Sequence, residues 1–219
     1  MKAPEKIVSH IVEWLKDYQR KSKMNGFVVG VSGGIDSAVT STLCSLTNAP
    51  VLCVEMEIHQ DTKQVSRANE HIEWLEGKFD NVTHQNISLT AVFESFVSGL
   101  PTTHKKDEQL LSLANTRARL RMTTLYQVAA ANKGIVVGTG NKVEDFGVGF
   151  YTKYGDGGVD ISPIADCNKT DVWEMGKELN ILKEIIDAAP TDGLWDDGRT
   201  DEGQLGLKYS ELEEAMNNI

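Results

Sequence analysis

Residues 32–37 place two hydroxyls, two glycines and one carboxylate in the order Ser-Gly-Gly-Ile-Asp-Ser; we call them the SGGIDS loop. An apolar run, 27-FVVGV-31, precedes them and a pattern of helical period follows, which predicts a buried strand, a turn and a helix. Glycines in such a turn let backbone N–H groups converge on an anion, and the helix dipole adds to the attraction. The hydroxyls of Ser32 and Ser37 can donate to the same anion, so the loop is predicted to hold phosphate.

Asp36 is the unusual member of this loop, because a carboxylate repels a bare phosphate. The loop also lacks the Gly-Lys-Ser/Thr ending of the common phosphate loop. A divalent cation between carboxylate and phosphate would remove the repulsion, and Mg²⁺ is often held by one or two carboxylates together with substrate phosphates. These residues alone leave open a tight strand-to-helix turn in which Asp36 serves only the helix N-terminus.

The pattern around the loop predicts an α/β fold. Strand-like runs and helical patterns alternate along the chain, which favours a doubly wound, mostly parallel sheet with helices on both faces, in one domain over residues 1–219. The strands are predicted at 27–31, 50–56, 81–87 and 134–139, and the helices at 36–46, 62–78, 107–132 and 169–179. On helix 107–132, Leu111 through Ala129 contribute one buried face; residues 146–160 are predicted to form a long, glycine-rich loop.

Bulk properties narrow the class of partner. The net charge of −10 argues against binding to nucleic acid or to an anionic membrane. No apolar run approaches the roughly 20 residues of a membrane span. The cysteines, Cys44, Cys53 and Cys167, form no CxxC pair and are predicted to be buried thiols of a cytoplasmic protein.

The SGGIDS string resembles the pyrophosphate-binding loop of the N-type ATP pyrophosphatases, and further strings resemble the NAD synthetase family within that superfamily. These are, in order, 115-NTRARLRM-122, 138-GTGNKVE-144, 152-TKYGDGGVD-160, 168-NKTDVWE-174 and 190-PTDGLW-195. The resemblance implies ATP-dependent amidation of deamido-NAD with ammonia, through an acyl-adenylate, to give NAD, AMP and pyrophosphate. Use of glutamine would require a further amidase domain with its own cysteine nucleophile, so we expect free ammonia as the nitrogen source.

The resemblance also implies a role for individual residues. Mg²⁺ would be held by Asp36 and Glu144, with Lys169 as a third catalytic residue, and deamido-NAD would contact Arg119, Lys153 and Asp160. It further implies a homodimer with the substrate at an interface that includes helix 107–132. The residues expected to contact ATP are Gly30, Val31, Ser32, Gly33, Gly34, Ile35, Asp36, Ser37, Thr139, Lys169 and Thr191.

Other interpretations stay open at this stage. Without the resemblance, Glu144 is an ordinary glutamate at a helix start and the arginines of helix 107–132 form a solvated face. The function alternatives are another amidotransferase or ligase of the superfamily, and a non-catalytic nucleotide-binding module. A paired-carboxylate metal site distinguishes the enzyme from the module, because binding of ATP alone does not require one.

Overall fold

A parallel sheet of four short strands lies at the centre of the fold. The computed structural model describes residues 3–101, 106–195 and 199–218, and its strands pair in the order β3–β2–β1–β4. They are β1 (Gly26–Gly30), β2 (Val51–Glu55), β3 (Val82–Asn86) and β4 (Gly134–Val137). Because β2 and β3 extend to one side of β1 and β4 lies on the other, the strand order reverses between β1 and β4. A crevice for ligands opens at such a switch point, at the carboxyl ends of the strands.

Helices cover both faces of this sheet. Phe27 and Val29 of β1 belong to a core shared with α1, α2, α3 and α6, whereas Val28 belongs to a core shared with α4 and α5. The doubly wound α/β fold predicted from the sequence is therefore confirmed. The helices are α1 (Pro4–Ser22), α2 (Ile35–Ser45), α3 (Thr62–Lys78), α4 (Thr90–Ser98), α5 (Lys106–Asn132), α6 (Lys169–Glu178), α7 (Lys183–Ile186), α8 (Asp201–Leu205) and α9 (Tyr209–Asn217), with a π-helix (Val143–Val148) between β4 and α6.

Helix α2, which follows the SGGIDS loop, is buried along almost its whole length. Two of its hydroxyls bond within the helix: Thr42 Oγ1 donates to the carbonyl of Ala38 at 2.7 Å, and Ser45 Oγ donates to that of Ser41 at 2.8 Å. Buried on all sides, α2 gives the loop at its N-terminus a fixed position.

Two expectations from the sequence were wrong in detail. Leu111, assigned to the buried face of α5, is 53% exposed. The reason is length: a helix of 27 residues extends about 40 Å, whereas a strand of five residues extends about 17 Å, so the first turns of α5 pass beyond the sheet. The predicted loop at 146–160 begins inside the π-helix, a rare element that often occurs at functional sites.

Within the described part of the chain, no helix combines the length and the apolar character needed to cross a membrane. The three cysteines are buried free thiols, as the sequence predicted.

Candidate active site

The SGGIDS loop passes close to helix α3, and this contact explains why its second residue, Gly33, is a glycine. Gly33 adopts a positive φ of 79°, and a Cβ atom at this position would lie 2.5 Å from the carbonyl oxygen of Gln64. Arg67 of α3 also donates from Nε to the carbonyl of Gly33 at 3.3 Å. Only glycine fits both the backbone conformation and the available space.

The serines of the loop hold it in a defined shape. Ser37 Oγ donates to the carbonyl of Gly34 at 3.0 Å and accepts from the backbone N–H of Ser32 at 3.2 Å. The two serine hydroxyls are 3.2 Å apart. Since the first N–H groups of a helix have no partner within it, the start of α2 and this loop form a preformed cradle for an anion.

A cluster of buried Lys169 with partly buried Asp36 and Glu144 lies beside the cradle; we call it the carboxylate–lysine cluster. The Nζ atom of Lys169 is 2.6 Å from Asp36 Oδ2 and 2.8 Å from Glu144 Oε1. Lys169 is only 1% exposed and is the first residue of α6, where a positive charge is unfavourable for the helix dipole. The two carboxylates offset both the cost of burying the charge of Lys169 and its repulsion by the helix dipole.

The charges in this cluster depend on one another. Burial alone would lower the pKa of Lys169, but the nearby charges of Asp36 and Glu144 outweigh it and raise that pKa, so the ammonium stays charged. Burial also favours the neutral form of each carboxyl. For Asp36 burial dominates and raises its pKa, whereas for Glu144 the charge and hydrogen bond of Lys169 prevail and lower its pKa. Glu144 is therefore the firmly ionised partner, and Asp36 is the carboxyl that takes up a proton first.

Asn141 and Tyr209 orient the two carboxylates, and the sequence analysis assigned neither a role. Asn141 donates from Nδ2 to Asp36 Oδ1 at 3.0 Å, while its Oδ1 accepts from the backbone N–H of Glu144 at 3.1 Å. The hydroxyl of Tyr209 donates to Glu144 Oε1 at 2.6 Å. Asn141 lies inside the string 138-GTGNKVE-144, which was a usable signal; Tyr209 lies 65 residues from Glu144 and carried none.

Asp201 is a third residue that sequence reasoning missed. Its side chain is 4% exposed and lines the same cavity; Oδ2 lies 3.3 Å from the Tyr209 hydroxyl, and Oδ1 has no hydrogen-bond partner among the described residues. Burial, reinforced by the charge of Glu144 and only partly offset by Lys169, raises the pKa of Asp201 to about 7. A carboxyl that titrates near neutral pH in a cavity is typical of functional sites.

All of the residues expected to contact ATP line one cavity of about 240 Å³ at the switch point. Thr139 follows β4, and Thr191 holds its own turn through a bond from Oγ1 to the carbonyl of Arg199 at 3.1 Å. Arg121 also lines this cavity; its Nε donates to the carbonyl of Met56 at 3.1 Å, and burial lowers its pKa to about 10, so it remains a cation at neutral pH. The expected residues that line the cavity are Gly30, Val31, Ser32, Gly33, Gly34, Ile35, Asp36, Ser37, Thr139, Glu144, Lys169 and Thr191.

The three residues expected to contact deamido-NAD are not among those that line this cavity. Arg119 donates from Nε to the carbonyl of Lys153 at 3.2 Å, so the structure brings these two together. Asp160 lies against β4, where its carboxylate accepts from the backbone N–H of Val136 at 2.8 Å and from the Tyr126 hydroxyl at 3.0 Å.

The donor set of the cluster fits Mg²⁺. Asp36 Oδ2 and Glu144 Oε1 converge on a single cationic centre, and hard carboxylate oxygens are ligands that Mg²⁺ prefers. Among the described residues no group of three or more acidic, histidine or cysteine side chains could hold a metal unaided. Two carboxylates would therefore have to be supplemented by phosphate and water, which is the usual arrangement for Mg²⁺ with a nucleotide.

Comparison with known proteins identifies the family to which this site belongs. The family model described as NAD synthase matches residues 7–219. The chain belongs to the NAD synthase family. An NH₃-dependent NAD⁺ synthetase from Methanosarcina acetivorans is 37% identical over 98% of this chain and 82% of that protein.

Solved structures of NAD synthase relatives share the fold as well. The structure of an NMN synthetase from Francisella tularensis aligns with a TM-score of 0.90 at 36% identity, over 98% of this chain and 86% of that one. An NH₃-dependent NAD synthetase from Campylobacter jejuni aligns with a TM-score of 0.77 at 26% identity, over 98% and 82% of the two chains.

Proposed function

We propose that this member of the NAD synthase family amidates deamido-NAD with ammonia at the expense of ATP, giving NAD, AMP and pyrophosphate. The observation that carries the proposal is the convergence of an anion cradle, two carboxylates and a buried lysine in one cavity at the switch point of the sheet. Ammonia-dependent synthetases are named among the relatives that match nearly the whole chain.

In the first step the carboxylate of the nicotinate ring attacks the α-phosphorus of ATP. A carboxyl oxygen–phosphorus bond forms, the bond to the leaving pyrophosphate breaks, and an acyl-adenylate results. The SGGIDS loop binds the pyrophosphate through backbone N–H groups and the hydroxyl of Ser32, and the hydroxyl of Ser37 can join them when it turns from the carbonyl of Gly34. Mg²⁺ held by Asp36 and Glu144 would supply neutralisation of phosphate charge. Lys169 stabilises the charge that develops on the transferred group.

In the second step ammonia attacks the acyl carbon, the new carbon–nitrogen bond replaces the bond to AMP, and the nitrogen loses a proton. This route requires no covalent enzyme nucleophile, so the protein acts by aligning the reactants and excluding water from the adenylate. Arg119, Lys153 and Asp160 are proposed to contact the part of the substrate that extends out of the cavity. Their position outside the cavity wall supports this division of the substrate.

We also propose a homodimer formed through α4 and α5. These helices expose large apolar side chains, among them Phe96 at 49%, Leu110 at 48% and Leu111 at 53%. Exposed apolar patches of this kind often mark protein interfaces. Sedimentation velocity tests the proposal: a single species of about the mass of one chain, with no larger species at micromolar concentration, would rule the dimer out.

A second candidate substrate is nicotinate mononucleotide, the amidation of which gives nicotinamide mononucleotide. The observation that favours it is the TM-score of 0.90 with the NMN synthetase, compared with 0.77 for the NAD synthetase of Campylobacter jejuni. Both substrates present the same nicotinate carboxylate to the cavity. They differ only in the adenylyl half that deamido-NAD carries in addition.

One assay tests both candidates. The purified protein receives ATP, Mg²⁺, ammonium and either deamido-NAD or nicotinate mononucleotide, and AMP, pyrophosphate and the amide products are measured. A kcat/KM at least about tenfold higher for one substrate assigns that substrate. If calorimetry shows that ATP binds but neither substrate releases pyrophosphate, the chain is a nucleotide-binding module rather than an enzyme.

A further inference from the structure

We infer that Lys169 fills the cation position between Asp36 and Glu144 when no nucleotide is bound, so that the enzyme admits Mg²⁺ only together with ATP. The inference rests on the proposed assignment of these carboxylates as metal ligands. It adds an order of binding and a second role for Lys169, as an internal counter-ion that ATP displaces.

The hydrogen bonds of the cluster place one cation between the two carboxylates. Lys169 Nζ lies within 2.8 Å of one oxygen from each carboxylate. The second oxygen of Asp36 is already bonded to Asn141, and Glu144 Oε1 also accepts from Tyr209. The carboxylate oxygens that face each other are therefore both engaged by the same ammonium group.

Electrostatics makes the lysine and the metal alternatives at this position. Two ionised carboxylates and one ammonium give the cluster a net charge of about −1. A divalent cation added beside the ammonium would be strongly repelled by it at such short distances. The triphosphate of ATP changes the balance, because it brings several negative charges into the same cavity. Lysine carries its charge on a flexible four-carbon stem, so Nζ can turn from the carboxylates to a phosphate without movement of α6.

The location of the cluster distinguishes this role from a purely structural one. A buried ion pair contributes little net stability compared with apolar residues of similar volume, so stability alone does not explain its presence. All three members line the wall of the cavity beside the SGGIDS loop, within reach of whatever the loop binds.

Binding of Mn²⁺, a paramagnetic substitute for Mg²⁺, tests the inference without reference to turnover. Electron paramagnetic resonance reports the free Mn²⁺ in solutions of the full chain, with and without a non-hydrolysable ATP analogue bridged by methylene between the α- and β-phosphorus. For the wild type we expect weak Mn²⁺ binding alone and, after subtraction of the Mn²⁺ that the analogue binds in a protein-free solution, binding at least about tenfold tighter with the analogue. For Lys169→Met we expect binding without the analogue to tighten by about tenfold or more.

Two further variants control the result. Lys177→Met removes an exposed lysine of the same helix that pairs with Glu174 at the surface, and it should bind Mn²⁺ as the wild type does. The double variant Lys169→Met/Asp36→Asn should lose the tightening, because one ligand is gone. Tight Mn²⁺ binding to the wild type without nucleotide would overturn the inference, as would a Lys169→Met protein that binds no more tightly than the wild type.

The design separates this inference from the proposed reaction. If the wild type makes the amide product but binds Mn²⁺ tightly without nucleotide, the inference fails and the reaction stands. If it makes no product yet shows the expected Mn²⁺ pattern, the reaction fails and the inference stands. Thermal unfolding of each variant confirms folding, and if Lys169→Met does not fold, the two wild-type measurements decide.

Discussion

Replacing either carboxylate of the cluster should abolish adenylate formation, but the two replacements should differ in their effect on stability. Glu144 is the firmly ionised partner of Lys169 and also accepts from the Tyr209 hydroxyl. Asp36 is the partner in which burial outweighs the charge of Lys169 and raises the pKa, so keeping it ionised costs the folded state more. Glu144→Gln should therefore destabilise the fold more than Asp36→Asn does.

The structure sets the expected size of this difference. Removing one partner of a buried ion pair costs about 3–5 kcal/mol, and after Glu144→Gln the lysine still has Asp36, so we expect about 3 kcal/mol. After Asp36→Asn, Lys169 keeps Glu144 and the new amide can still accept from Asn141, so we expect about 1 kcal/mol, close to the value of one hydrogen bond. The difference of about 2 kcal/mol corresponds to roughly a 30-fold change in the unfolding equilibrium.

Urea unfolding at neutral pH measures both effects. Glu174→Gln is the matched control, because Glu174 forms an exposed pair with Lys177 and its loss should leave the free energy of unfolding unchanged. Pyrophosphate release should fall by at least about 100-fold in both cluster variants and stay unchanged in the control. If Asp36→Asn proves as destabilising as Glu144→Gln, the assignment of Glu144 as the ionised partner is wrong.

Three other outcomes are expected. Burial raises the pKa of Asp201 from 3.8 to about 7, so this group adds stability below about pH 4 that is lost as the pH rises towards 7. In urea unfolding across this range, the wild type should lose about 4 kcal/mol of unfolding free energy that Asp201→Asn does not lose. Parallel wild-type and variant profiles would contradict this. Burial lowers the pKa of His71 from 6.5 to about 4, so its contribution to stability is present above about pH 6.5 and disappears as the pH falls towards 4. The wild type should therefore lose about 3 kcal/mol of unfolding free energy over this range, and His71→Gln, which can keep the bond to Ser41, should not. The same loss in both proteins would count against this role. Gly33→Ala should destabilise the fold by more than about 1 kcal/mol and weaken ATP binding in calorimetry. Gly77→Ala, in open space on α3, should stabilise the fold by up to about 1 kcal/mol. Equal ATP affinity in the two variants would refute the role of the loop.

The sequence predicted the framework of the site because that framework depends on local patterns. Alternation of strands and helices implied a parallel sheet, and β1 and β4 are indeed neighbours, with Val29 beside Val137. Since both strands end at the same edge, Asp36 and Glu144 could be expected to approach each other. The strand β1, the loop after it and the helix α2 were placed within one or two residues of their observed bounds.

What the sequence could not predict are partners chosen by the tertiary fold. Lys169 was expected to contact ATP, and nothing in the sequence indicated its partners in the structure, two carboxylates 133 and 25 residues away. Arg117 belonged, by periodicity alone, to a solvated helix face, yet it is 7% exposed and donates to the carbonyl of Leu194 at 2.9 Å. Periodicity reports which side of a helix is apolar; it does not report which loop later covers the polar side.

The last helix shows how such distant partners join the site to the fold. Glu213 of α9 accepts from both the backbone N–H and the hydroxyl of Thr170, at 2.9 and 2.6 Å, directly after Lys169 at the start of α6. From the same helix, Tyr209 bonds to Glu144 on the π-helix. One short helix thus fixes both the lysine and the carboxylate of the cluster, although it contributes no residue to the SGGIDS loop. Because these bonds are partly buried, displacement of α9 would remove a hydrogen-bond partner from Glu144 and from the start of α6, which links the integrity of the active site to the packing of the C-terminal helix.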